Sequence, residues 1–348
     1  MKTTLLLIAA LALVDANPAT YQKPPKPSGP DYLNDKVIPF PITVHGKKLK
    51  TGLVLDNGWF DSKKQIGGVF PGTFKNWVEA GVESIPNGAK FNKIGSRVYV
   101  VNEKNNKYEY LNLNNKQISF EVDISGVGCG YNAAGYTTAI NKHAKIGEGY
   151  CDGQNFCNEM DLLESNIGSQ SYTPHPCTDS KNINGTTICD PWGCNDNAYR
   201  NHNNLYGPGL HINTLKPFRV YTQFAGTKNT YVTRAWMVQG KNVLRFTDMT
   251  DSFCEANDPF WRNTNTSSVA PIFPCPTCDY NTLEASFKIG QVLTFSFWGS
   301  GGEGMSWLDG GALNPHCTYQ PTWTGWYVRD VVIENNKKAP VTNAVAAA

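Results

Sequence analysis

From about Val44 the chain breaks into short apolar and β-branched runs: Leu53 to Leu55, Arg97 to Val101, Tyr108 to Leu113 and Ile118 to Ile124. Later runs are Phe218 to Phe224, Tyr231 to Val238, Val243 to Phe246, Val292 to Trp298 and Trp326 to Glu334. Turn-forming clusters such as Asn112-Leu-Asn-Asn115 separate them, as between half-buried strands. No long helical period of apolar residues stands out, so the pattern predicts an antiparallel all-β domain of two packed sheets over residues 42–335. Residues 17–41 are proline-rich, with Lys23-Pro-Pro-Lys-Pro27 at the centre, and read as an extended arm. Residues 1–16 have the form of a signal peptide: Lys2, an apolar stretch from Leu5 to Val14, and small residues up to cleavage after Ala16. That stretch is too short to span a bilayer. Residues 336–348 are a low-complexity tail, expected to be disordered.

A secreted, extracellular protein fits the ten cysteines, an even number that reads as structural disulfides even at Cys275-Pro-Thr-Cys278. Asn184-Gly-Thr186 and Asn265-Thr-Ser267 are N-glycosylation acceptors. A net charge of +2 without a basic stripe argues against a nucleic-acid partner. The 12% aromatic content and 32 glycines suit a β protein whose surface stacks on something flat.

Candidate chemistry concentrates in Glu159-Met-Asp-Leu-Leu-Glu164, three carboxylates among apolar residues. In a strand, Glu159 and Asp161 share a face and Glu164 is out of phase. A β-bulge would return Glu164 to that face. A solvated charged surface would carry intervening lysines, and none occurs from Tyr150 to Ser180. Like charges forced together raise at least one pKa, an arrangement more often functional than structural. A carboxyl pair can hydrolyse a bond between sugars without metal or cofactor.

These segments together resemble glycoside hydrolase family seven, the secreted cellobiohydrolases and endoglucanases. The likeness is carried by Glu159-Met-Asp-Leu-Leu-Glu-Ser-Asn166, Tyr172-Thr-Pro-His-Pro-Cys177, Gly147-Glu-Gly-Tyr-Cys-Asp-Gly-Gln154 and Ile118-Ser-Phe-Glu-Val-Asp123 followed by Cys129-Gly-Tyr-Asn132. Downstream, Cys189-Asp-Pro-Trp-Gly-Cys194, Tyr199-Arg200, Tyr206-Gly-Pro-Gly209, Thr222-Gln-Phe224, Ser296-Phe-Trp298 and Met305-Ser-Trp-Leu-Asp309 keep the family order. The resemblance implies a jelly-roll β-sandwich of two curved antiparallel sheets with a concave cleft. It also implies Glu159 as nucleophile, Glu164 as general acid/base and Asp161 as the helper that hydrogen-bonds the nucleophile. His175 matches a histidine beside the acids; Asn132, Tyr136, Asp152 and Gln154 match positions near the sugar at the cleavage point. Arg200 and Arg234 match arginines on the leaving-group side, Trp298 and Trp307 sugar-stacking tryptophans, and Trp59 a tryptophan deeper in the cleft.

Two departures bear on function. Leu163 stands where the family has tryptophan, which is expected to loosen the strand's packing. The short stretch from Gln154 to Asn158 replaces a long loop, which favours an open cleft over a tunnel. The reading is therefore a monomeric, secreted, retaining endo-β-1,4-glucanase acting on β-glucan. Two other readings stay open on the sequence: a non-catalytic carbohydrate-binding or host-interaction protein on the same scaffold, and a cellobiohydrolase or mixed-linkage glucanase.

Overall fold

A computed structural model describes residues 37–56, 58–61, 66–69, 74, 76–154, 157–179, 188–227, 230–257, 278–299 and 301–340, without the side chains of 58–61, 66–69 and 302–303. The signal peptide, most of the arm, Asn184, Asn265, Cys275 and residues 341–348 lie outside the described residues.

The longer strands, in chain order, are β1 (Thr51–Leu55), β2 (Ser96–Asn102), β3 (Lys116–Gly126), β4 (Tyr131–Thr138), β5 (Glu159–Asn166), β6 (Ser169–His175), β7 (Phe218–Ala225), β8 (Val232–Gln239), β9 (Gln291–Gly299) and β10 (Gly325–Asn335). The first sheet runs β1-β2-β9-β4-β5-β6, with Ile38–Pro39 at one edge and Asp196–Asn197 at the other. The second runs β8-β7-β3-β10, extended by short strands at both edges. Neighbouring long strands pair antiparallel throughout. Every strand-like run of the sequence therefore lies in a sheet.

The sheets form a β-sandwich, because alternate residues of each strand are apolar and meet in one core. Phe295 of β9 lies 5.9 Å from Phe120 of β3 and 6.2 Å from Trp326 of β10, ring centre to ring centre. Leu163 is fully buried in this core beside Met160 and Leu162. The leucine thus fills its place in the interior without the indole the family carries there.

Three features differ from the sequence pattern. The end of the arm belongs to the fold: Ile38 and Pro39 pair with Leu53 and Gly52, and Phe40 is fully buried. Proline is tolerated there because the strand is an edge. The start of the tail is also tied down, with Asn336 Nδ2 donating to Phe224 O and the carbonyls of Lys337 and Pro340 accepting from Gln223 and Arg245. Finally, Tyr280–Ile289 is a helix, started by the Asp279 side chain accepting from the amides of Asn281 and Thr282. Leu283 and Phe287, one turn apart, are its core anchors.

Disulfides join Cys129 to Cys317, Cys151 to Cys157, Cys177 to Cys189 and Cys194 to Cys254. Cys278 is disulfide-bonded as well, and no described cysteine is free. No helix among the described residues is long and apolar enough to cross a membrane.

Candidate active site

The acid stretch forms β5, and its side-chain phase is set by a bulge. Against β4, Asp161 pairs with Tyr136 but Leu163 pairs with the next residue, Gly135, so Leu162 has no partner of its own. The pairing with β6 slips at the same place, between Asp161–Thr173 and Glu164–Ser171. The extra residue sends Leu162 and Leu163 both into the core and returns Glu164 to the face of Glu159 and Asp161. All three carboxylates consequently line one cavity of about 1040 Å³ on the outer face of the first sheet.

The cavity is a groove across the strands. Its lining runs from Arg97 on β2, through Ser296 and Trp298 on β9 and Ala134 and Tyr136 on β4, to the acids, then Thr173 and His175 on β6. Beyond β6 lie Trp192, Arg200, Thr247 and Phe253. The loop carrying Tyr150, Asp152 and Gln154 is seated on a smaller apolar cluster that includes Tyr99, Val101, Ile140 and Val292.

Each acid has a distinct set of partners. Glu159 Oε2 accepts the Gly153 amide at 2.7 Å, from the turn closed by Cys151–Cys157. Glu164 Oε1 accepts from Asn132 Nδ2 at 2.9 Å, and Asn132 Oδ1 is fixed in turn by the Ser165 amide at 2.9 Å. Asp161 Oδ2 lies 3.1 Å from His175 Nε2. His175 Nδ1 donates to the carbonyl of Asp190 at 2.8 Å, because a carbonyl can only accept. The contact between Nε2 and Asp161 therefore holds one proton between a carboxyl and an imidazole. One oxygen or nitrogen from each of Glu159, Asp161 and His175 falls within 4.8 Å of the others, a spacing that could hold an ion. In this arrangement both imidazole nitrogens are already engaged within the protein.

Burial, and then the charge of Asp161, pushes the Glu159 and Glu164 carboxyls well above the ordinary range. Burial, then Asp152, does the same to Asp161. For His175, burial works against the cation but is outweighed by Glu159 and Asp190, and the imidazole is raised. The protons of the cluster belong to the set rather than to single residues. A group whose pKa rises on folding stabilises the fold below its unfolded pKa, and that contribution is lost as pH climbs through the folded value. All four groups share this sign. Asp196 has the opposite one: despite burial, hydrogen bonds from His202, Asn201 and the Thr247 amide bring it down to about 2, so it loses its contribution only in strong acid. The thermal midpoint is expected to be higher near pH 5 than near pH 8 by scanning calorimetry. Glu164→Gln, which removes one titrating group, narrows the gap. A midpoint that does not fall towards pH 8 contradicts the buried cluster.

Tyr136, Asp152, Gln154, Arg200, Trp298 and Trp307 all line the groove. The Tyr150 hydroxyl donates to Asp152, and Gln154 Nε2 donates to Pro191 O at 2.5 Å. Arg200 Nη2 donates to Trp307 O at 2.6 Å. The Trp298 and Trp307 rings are stacked at 6.3 Å, 39% and 40% exposed. Asn132 is buried beneath the groove and donates to Glu164.

Arg234 is a correction. On β8 its neighbours Thr233 and Ala235 are buried towards the interior, so Arg234 faces the other side of the second sheet and binds Asp248 Oδ2 at 3.0 Å. It is not among the residues that line the groove. Trp59 lies in a short strand, Gly58–Asp61, but its side chain is outside the described residues.

Arg97 and Trp192 line the groove without having been singled out in the sequence. Arg97 lies 3.4 Å over the Tyr150 ring and pairs with Asp56 at 3.0 Å. Its position within the β2 run marks only a strand face, not what that face meets.

The site is thus a set of buried acids in a groove walled by tryptophans on one face of a two-sheet β-sandwich. The profile of glycosyl hydrolase family 7 matches residues 79–156 and 143–322. The chain belongs to that family. It is 30% identical over 274 residues to a probable endo-β-1,4-glucanase of Aspergillus terreus, covering 64% of this chain and 62% of that one. It is 29% identical over 264 residues to the endoglucanase EG-1 of Trichoderma longibrachiatum, covering 65% and 51%. The matches thus span between about half and two thirds of these relatives' own lengths. An endocellulase of Humicola insolens superposes with a TM-score of 0.67 at 21% identity over 86% of this chain and 97% of that one. A cellobiohydrolase of Daphnia pulex gives 0.66 at 19%, covering 86% and 96%. These two show the same fold.

Proposed function

We propose that the protein is a retaining glycoside hydrolase that cleaves β-1,4-glucan internally. The observation that carries this reading is the bulge in β5, which places Glu159, Asp161 and Glu164 on one groove face. The endoglucanase relatives support the choice of substrate. The Glu159 carboxylate attacks the anomeric carbon as the bond from that carbon to the bridging oxygen breaks. Glu164 gives its proton to that oxygen, and the leaving chain departs with a free hydroxyl. Glu164, now ionised, takes a proton from water, which attacks the same carbon and releases Glu159 as a carboxylate. Asp161 and His175 share a proton beside Glu159 and set its charge, while Asn132 and the Gly153 amide aim the two glutamates. Apolar sugar faces stack on Trp298 and Trp307; Tyr136, Asp152, Gln154 and Arg200 bind hydroxyls along the groove.

Internal attack is favoured over end-on attack by the short sequence from Gln154 to Asn158, which leaves no room for a long loop at that point of the chain. Secretion as a monomer, with cleavage after Ala16, fits the disulfides. Incubation with soluble carboxymethyl cellulose is expected to drop viscosity quickly and release mixed short products. Release of cellobiose alone with little fall in viscosity would point to end-on attack. No reducing sugar at all would leave a carbohydrate-binding role.

A further inference from the structure

His175 meets Asp161 through one nitrogen and is held by a separate turn through the other. Its Nδ1 donates to the main-chain carbonyl of Asp190 at 2.8 Å. The Asp190 side chain shapes that turn: Oδ1 accepts from the amides of Trp192 and Gly193, at 3.2 and 3.0 Å. Disulfides from Cys189 and Cys194 anchor the two ends of the turn. Gly193 has φ +67°, and a Cβ there would sit 2.7 Å from His175 Cε1. At Gly153, whose amide serves Glu159, a Cβ would sit 2.8 Å from His175 Cβ. Two glycines therefore let the backbone close on the histidine.

Asp190 is fully buried and is not among the residues that line the groove. Its second oxygen, Oδ2, has no hydrogen-bond partner among the described residues. In so dry a place, a charge only partly met by hydrogen bonds acts strongly on its neighbours. The acids set about the imidazole are Glu159, Asp161 and Glu164 from β5 and Asp190 from the turn. Asp152, Arg97 and Arg200 are charged groups elsewhere on the groove.

We propose that Asp190 is a positioning residue for the reaction, acting through His175. Its turn fixes the ring with hydrogen on Nδ1 and with Nε2 facing Asp161, and its charge retains the proton that Asp161 and His175 share. This rests on the glucanase reading, in which the shared proton sets the charge beside Glu159. Burial works against the imidazolium, and Glu159 and Asp190 outweigh it. Without the Asp190 charge the imidazolium is less favoured, so the cluster gives up a proton at lower pH.

Asp190→Asn removes the charge and keeps an oxygen for both turn amides. Its kcat/KM on cellopentaose is expected to have an alkaline limb about half a pH unit or more below that of wild type. KM is expected to change little, because Asp190 does not line the groove. Asp190→Ala, which also loses the turn's hydrogen bonds, is expected to lower kcat further. In wild type, long-range proton–nitrogen NMR spectra are expected to show hydrogen on His175 Nδ1 near both pH 5 and pH 8. The His175 signal is the one absent from His175→Gln. An unchanged alkaline limb in Asp190→Asn, or a wild-type His175 without hydrogen on Nδ1, overturns the proposal and leaves the glucanase reading intact. A wild-type enzyme that releases no sugar from glucan or cellopentaose overturns that reading and the role of Asp190 with it.

Discussion

Glu159→Gln is expected to lower turnover of β-glucan by about 10⁴-fold or more while the protein still folds and binds the polymer. The amide is nearly isosteric but cannot attack the anomeric carbon. It can still accept the Gly153 amide hydrogen through its oxygen, so the turn closed by Cys151–Cys157 keeps its place. The charge it removes is one that burial and Asp161 already disfavour, so the variant is expected to be at least as stable as wild type near neutral pH. Initial rates of reducing-sugar release, with binding to insoluble glucan measured in parallel, read both halves. Turnover within about tenfold of wild type would remove Glu159 from the chemistry.

Glu164→Gln is expected to divide substrates by leaving group. Proton donation contributes about 10²–10⁴-fold where the departing oxygen is basic. Glucan should lose that much, and a dinitrophenyl cellobioside much less in its first step, since that leaving group needs little protonation. The Asn132 contact at 2.9 Å keeps the side chain in place in either form, so lost geometry does not explain a difference between substrates. Burst and steady-state phases on the activated substrate separate the two steps. Equal damage to both substrates would place the general acid elsewhere.

The sheets were legible because each strand carries its own alternation, and the bulge because the Leu162-Leu163 doublet breaks that alternation between two acids. Other features depend on information no local pattern holds. The helix Tyr280–Ile289 is only as long as a strand run, and its signals are the capping Asp279 and the spacing of Leu283 and Phe287. The end of the arm joins the first sheet at its edge, and the start of the tail is held by side-chain hydrogen bonds, contacts between segments far apart in sequence. Arg234 fitted by order along the chain, but side-chain alternation on β8 turns it to the outside of the second sheet. Arg97 and Trp192 meet the acids only through sheet order and disulfide-held turns, which neighbouring residues do not encode.

The central claim is that Glu159 forms a covalent bond to the sugar. A 2-deoxy-2-fluoro-β-cellobiosyl fluoride tests it most directly, because the fluorine slows both steps and the good leaving group lets the first outrun the second. Intact-mass spectrometry is expected to show one fluorocellobiosyl adduct, and peptide mapping to place it on Glu159. Absence of an adduct in an enzyme that hydrolyses glucan, or an adduct on another residue, would contradict the account.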